Sequence, residues 1–160
     1  MKKYELLKKD TIILMGKMLY RIHYLRDFAN IKKGDLGGYI EKEENLSHDG
    51  NAWVCGEARV FDNARVSGNA WVCGNACVYD NARVYGNAWV FDNARVYGDA
   101  RVYNNARVFD NARVYSNARV YGNARVYGNA WVFDNAYVYG GALVYGNTRV
   151  YHDEDDDDEA

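Results

Sequence analysis

The chain has 160 residues, 49% of them hydrophobic and none of them proline, which is enough for one domain with a core of its own. Its three cysteines make no even disulfide framework and fall short of the four ligands of a structural zinc site, so a cytoplasmic, reducing setting is expected. The formal charge of −2 hides a division: residues 1–50 are net +2, residues 51–152 are net +3 through ten arginines and no lysine, and residues 153–159 are all acidic.

The chain starts MKKYELLKKDTIILMGKMLY, where Ile12–Met15 is the longest apolar run. It is too short for a membrane span and wrongly flanked for a signal peptide, so no membrane partner is expected. Ile12–Met15 and Leu19–Leu25 around Gly16-Lys17 predict a β-hairpin with glycine first in the turn. KKGDLGG then turns the chain, and NLSHDG (45–50) keeps the length of the repeat that follows, so an irregular first coil is expected from near Gly34. The glycines beside Lys32 and Lys33 lack the spacing of a phosphate-binding loop and predict a turn. The N-terminal β cap is assigned to 1–44.

From Asn51 to His152 the sequence divides without a gap into seventeen hexads of the form N-A-R-V-Y-G. Valine fills the fourth place in all seventeen and alanine the second in sixteen, Thr148 being the exception. A small and a β-branched residue two apart, separated by large or charged residues, have the alternation of a short strand with one buried face. The Gly, Asp and Asn positions between strands predict corners, where left-handed backbone angles cost little. Residues 51–68 share nine identities with the chain shifted by six, nine when shifted by twelve and fourteen when shifted by eighteen. The coil is therefore eighteen residues, three strands around a triangular prism, with equivalent residues stacked roughly 4.8 Å apart. The fold expected is all-β: a parallel β-helix of about six coils over 45–152, followed by an acidic tail, 153–160, expected to be disordered.

The repeated V-Y-G-N-A-R resembles the hexapeptide pattern of left-handed parallel β-helices, the fold of many acyltransferases and of γ-class carbonic anhydrases, and the left hand is implied by that resemblance. KKGDLGGYIEKEENLSHDGNAW (32–53) followed by such repeats is similar to small hexapeptide-repeat proteins of bacteria and their phages, often labelled acetyltransferases on the repeat alone. The resemblance implies a catalytic histidine, projecting loops and sites between the subunits of a trimer. Residues 51–152 have no loop insertion and only His152, while His23 and His48 precede the repeat. Three histidines in one coil register, as the carbonic anhydrases need, are absent from the sequence. No catalytic residue, metal site or cofactor is assigned.

If Ala and Val point inward, the third and fifth places of each hexad point outward. One face carries Trp53, Trp71 and Trp89 beside Phe91 and Phe109, an apolar patch large enough to need a cover. Either the hairpin of residues 11–25 folds over it, or a partner or second copy does, as in a homotrimer. Another face carries Arg65, Arg83, Arg101 and Arg119 beside Tyr85, Tyr103, Tyr121 and Tyr139, where cation–π contact would ease the stacked charges. That face suits an acidic protein or other polyanion. Cys55 and Cys73 stack within disulfide reach should the protein be oxidised. The expected function is a non-catalytic scaffold acting through these faces in a bacterial or phage-infected cytoplasm. The alternatives are a hexapeptide acyltransferase with an inter-subunit site and a phage inhibitor of a host defence or nucleic-acid enzyme.

Overall fold

A computed structural model describes residues 2–151. Strands β1 (Tyr4–Leu14) and β2 (Lys17–Tyr24) form an antiparallel hairpin, and β3 (Leu36–Ile40) pairs antiparallel with β2. Seventeen two-residue strands follow, each at the third and fourth places of a hexad: β4 at Trp53–Val54, β5 at Arg59–Val60, β6 at Arg65–Val66, and so on by sixes to β20 at Arg149–Val150. They stack in parallel into three sheets, each strand paired with the one eighteen residues later, as in Trp53↔Trp71, Arg59↔Cys77 and Arg65↔Arg83. The chain is a parallel β-solenoid of about six coils, as its eighteen-residue period predicts, with no α-helix among the described residues.

The solenoid interior is a column of alanine and valine. From Ala52 to Ala136 every second-place alanine is fully buried, as is nearly every fourth-place valine up to Val138. Backbone N–H groups at the first, third and fifth places of a hexad donate to carbonyls of the next coil, as Trp53 does to Ala70 at 3.0 Å and Cys55 to Val72 at 2.9 Å. Among the described hexads, left-handed angles fall at the sixth place and not at the neighbouring asparagine. Among the described residues that place holds glycine, aspartate, asparagine or serine, because a branched side chain there would be strained. Where it holds aspartate, the carboxylate adds a bond: Asp62 Oδ2 accepts the Asp80 N–H at 3.2 Å, and Asp80 Oδ2 accepts the Gly98 N–H at 3.0 Å.

The N-terminal residues close one end of the column. Tyr4, Ile22, Tyr24, Phe28, Ile31, Ile40 and Leu46 join the core cluster of the coils. The first coil is out of step, since Tyr39 pairs with Arg59 and Leu46 bridges Val66 at separations of twenty residues, not eighteen. Asn51 N–H nonetheless donates to Gly68 O, so eighteen-residue spacing is restored within Ser47–Gly50. NLSHDG thus keeps hexad length without keeping hexad register, and its two extra residues are taken up between Leu46 and Asn51. Asn45, fully buried, holds the slip: its Oδ1 accepts from Glu41 and Lys42 N–H, and its Nδ2 donates to Asp62 O and Ala64 O.

Two local expectations need correction. The hairpin turn is Met15–Gly16 with φ of 51° and 77°, a primed turn with glycine second, and β1 extends back to Tyr4 through residues whose charges mask its alternation. Gly37 and Gly38 lie within β3 and not in a turn. A Cβ on Gly37 would sit 2.6 Å from Val54 O, so glycine lets β3 press against the coil above it, leaving no room for a phosphate. The acidic run at 153–159 and His152 lie outside the described residues.

Candidate binding faces

The five-stranded sheet carries the arginine face. Arg65, Arg83, Arg101 and Arg119 lie in parallel register, each directly above the last, with Tyr137 ending the column. Among the described residues none of these four guanidinium groups makes an ion pair. The adjacent tyrosines stack on one another, Tyr85 on Tyr103 at 4.9 Å, Tyr103 on Tyr121 at 5.0 Å and Tyr121 on Tyr139 at 5.4 Å between centroids. The coil spacing matches the separation of offset stacked rings, so the tyrosines satisfy each other before they reach an arginine. The expected arginine–tyrosine contact between columns gives way to one within a column, Arg119 over Tyr137 at 5.8 Å.

The tryptophan face is less exposed than its composition suggests. Trp53 and Trp71 meet edge to face at 4.8 Å, Trp71 and Trp89 stack at 4.3 Å, and the Arg107 guanidinium lies 4.0 Å over Trp89. Trp53 is 9% exposed, and Trp71, Trp89, Phe91 and Phe109 are half-buried. The hairpin does not cover this face. Its strands continue the nine-stranded sheet beyond β3, where Leu19, Tyr39 and the fully buried Phe61 cluster with Ile12, Leu14 and Tyr79, and Lys17 pairs with Asp62 at 2.9 Å. The large hydrophobic side chains that stay exposed lie instead on the hairpin and β3 (Ile13, Met15, Met18, Leu36) and towards the last coil (Tyr137, Tyr139, Leu143, Tyr145, Tyr151).

Sequence reasoning passed over a third ladder, on the sheet that the hairpin extends. Phe61, Tyr79, Tyr97, Tyr115, Phe133 and Tyr151 stack in one unbroken column, with successive centroids 4.9 to 5.6 Å apart. Its signal was an aromatic residue in the fifth place at every step of eighteen from Phe61. Cys55 and Cys73, in the fifth place of the tryptophan face, are joined as a disulfide with Cα atoms 4.6 Å apart, which leaves Cys77 as the free thiol.

His48 is held at both ring nitrogens. Its Nδ1 accepts the Lys3 N–H at 3.1 Å, which leaves Nε2 to donate to Glu43 Oε1 at 2.8 Å, and its ring stacks 4.1 Å from Tyr4. Hydrogen bonds from His48 and Lys2 keep the Glu43 carboxyl below the usual range. His23 Nδ1 lies 2.7 Å from Glu5 Oε2. No three His, Cys, Asp or Glu side chains gather as metal ligands among the described residues. Where the first coil slips in register, Glu43, His48, Ser67, Arg65, Arg83 and Tyr85 border a cavity of about 470 Å³ at the foot of the arginine column.

Five segments of the chain, 58–74, 76–92, 88–104, 94–108 and 118–133, match a family model described as YdcK Beta solenoid repeat. No curated protein matches the chain. The register and these matches define a β-solenoid repeat protein. No helix among the described residues is long and apolar enough to cross a membrane.

Proposed function

We propose that the protein is a non-catalytic binding scaffold and that its principal binding surface is the arginine face. The observation that carries this reading is the column Arg65, Arg83, Arg101 and Arg119, held in register by the sheet with no ion-pair partner among the described residues. Stacked like charges destabilise their own sheet, and an anionic partner converts that repulsion into affinity. The rigid solenoid fixes the spacing of the column, so little ordering entropy is lost on binding. Because Tyr103 and Tyr121 have both ring faces occupied by neighbouring tyrosines, the length of the column offers arginines and tyrosine edges, and base stacking is left only to its Tyr85 end. That favours an acidic protein segment over single-stranded nucleic acid. The hexapeptide resemblance further leads us to read the coil as left-handed.

The test is binding of polyglutamate to the full chain across a salt series. Tight binding that weakens steeply with salt, and is lost in the triple variant Arg83→Ser, Arg101→Ser, Arg119→Ser, is the expected result. Unchanged affinity in that variant would overturn the assignment of the face. Stronger binding to single-stranded nucleic acid than to polyglutamate would overturn the choice of partner.

A further inference from the structure

Each of the three fifth-place columns has a first aromatic ring, and the three are finished differently. Phe61 is closed by Leu19 and Tyr39 from the hairpin and β3. Phe91 stands one coil above the Cys55–Cys73 disulfide. Tyr85 alone has neither: one coil below it stands Ser67, so the lower face of its ring meets no other ring. The cavity of about 470 Å³ lies there, bordered by Ser67 and Tyr85 and by the Arg65 and Arg83 side chains. Its volume falls in the range of small-molecule sites.

We propose that this cavity binds a planar aromatic anion. The ring of the ligand takes the place a tyrosine would hold at position 67, continuing the stack of Tyr85 on Tyr103 by one member. Its anionic group lies against Arg65 and Arg83, which are in register on neighbouring strands and without an ion pair among the described residues. A guanidinium pair of this kind accepts a carboxylate or a phosphate with charge-assisted hydrogen bonds. Glu43, also at the cavity, is occupied by Lys2 at 3.1 Å and His48 at 2.8 Å. The shared chemistry is a flat ring carrying an acid, which an aryl carboxylate and an adenine nucleotide both supply.

The slipped first coil forms the floor of the cavity: Ser47 stays in the ladder, its N–H donating to Val66 O at 3.0 Å, and His48 follows it at the border. The site is separable from the polyanion reading, although both use Arg65 and Arg83. Arg101→Ser with Arg119→Ser weakens polyglutamate binding and leaves the cavity intact, while Ser67→Tyr fills the cavity and leaves the arginine column in place.

The experiment is calorimetric titration of the full chain with 6-amino-2-naphthoate, adenosine 5′-monophosphate and cyclohexanecarboxylate. One aromatic probe should bind at one site per chain, and cyclohexanecarboxylate roughly three- to tenfold more weakly, the scale of a stacking contact. The tighter of the two aromatic probes identifies the acid as carboxylate or phosphate. Ser67→Tyr should weaken the better probe at least about tenfold without lowering the melting temperature. Should that variant melt lower than the parent, Arg65→Ser with Arg83→Ser decides, since both side chains are exposed and their loss should remove the binding. The proposal is overturned if no aromatic probe gives heat at millimolar concentration, if cyclohexanecarboxylate binds as well as the rings do, or if the deciding variant binds like the parent.

Discussion

The Tyr24 hydroxyl and the Val54 backbone are joined twice: Tyr24 Oη donates to Val54 O at 2.8 Å and accepts the Val54 N–H at 3.1 Å. Tyr24 ends β2 and Val54 lies in the first strand of the repeat, thirty residues on, and both are fully buried. The pair ties the N-terminal segment to a strand whose polar groups face the end of the solenoid, where no earlier coil exists to receive them. A sheet edge left open there would be a template for aggregation.

Tyr24→Phe tests this closure. The ring stays, so packing against Tyr4 and Phe28 is kept, but two buried backbone groups of Val54 lose their partner. Each costs about 1–3 kcal/mol, so a loss of about 2–6 kcal/mol in chemical denaturation is expected, with greater aggregation on warming. An unchanged denaturation midpoint would mean that water replaces the hydroxyl.

The sixth-place aspartates give a second prediction. Asp80 has φ of 58° and accepts the Gly98 N–H through Oδ2 at 3.0 Å. Asp80→Gly removes that bond but relaxes the backbone, so its effect should stay within about 0.5 kcal/mol. Asp80→Val should lose about 2 kcal/mol or more, because a β-branched residue is strained in the left-handed region and supplies no acceptor. Equal midpoints for the two variants would show that the corner imposes no conformational demand.

The disulfide predicts a thiol count. Denatured, non-reduced protein should titrate as one thiol, Cys77, and fully reduced protein as three. Closing a loop of eighteen residues stabilises the folded chain by about 3 kcal/mol in the chain-entropy account, so Cys55→Ser with Cys73→Ser should melt with the reduced parent and below the oxidised one. Three thiols in the non-reduced protein would leave the stacked pair as packing alone.

Which features could be read from the sequence follows from their period. The eighteen-residue coil, the inward pattern of alanine then valine, and the outward columns all repeat, so each was stated many times over by the residues themselves. Features that occur once were harder. His48 sits in a six-residue segment of the right length, and it takes the pairings of Tyr39 with Arg59 and of Leu46 with Val66 to show that the register has slipped. The strand from Tyr4 was hidden by Lys8, Lys9 and Asp10 around its bulge, and the sheet that the hairpin extends shows in the contacts of Phe61 and Asp62, which nothing in local patterning singles out. The Phe61-to-Tyr151 ladder was periodic and legible, but the arginines and tryptophan beside it made that face look mixed.

Lys3 gives the last prediction, a dependence of stability on pH. Its side chain is fully buried, donates from Nζ to Ala52 O at 2.6 Å and lies 4.7 Å from the Phe28 ring centroid. Burial, and then the positive charge of Arg26, lower its pKa to about 8 from 10.5. Below pH 8 the ammonium is charged in folded and unfolded chains alike, and the folded chain carries the full cost of burying it. Between about pH 8 and 10 the folded chain releases the proton while the unfolded chain keeps it, so stability should rise with pH by about 1–3 kcal/mol. Above pH 10 the trend should reverse, because burial raises the pKa of Tyr4 and Tyr24, which must then stay neutral in the fold while they ionise in the unfolded chain. Lys3→Met keeps the length of the side chain and removes the charge, so its denaturation midpoint should be flat from pH 8 to 10 where that of the parent climbs. A parent midpoint that falls across that window, or a variant that climbs with it, would show that Lys3 is not the group being titrated.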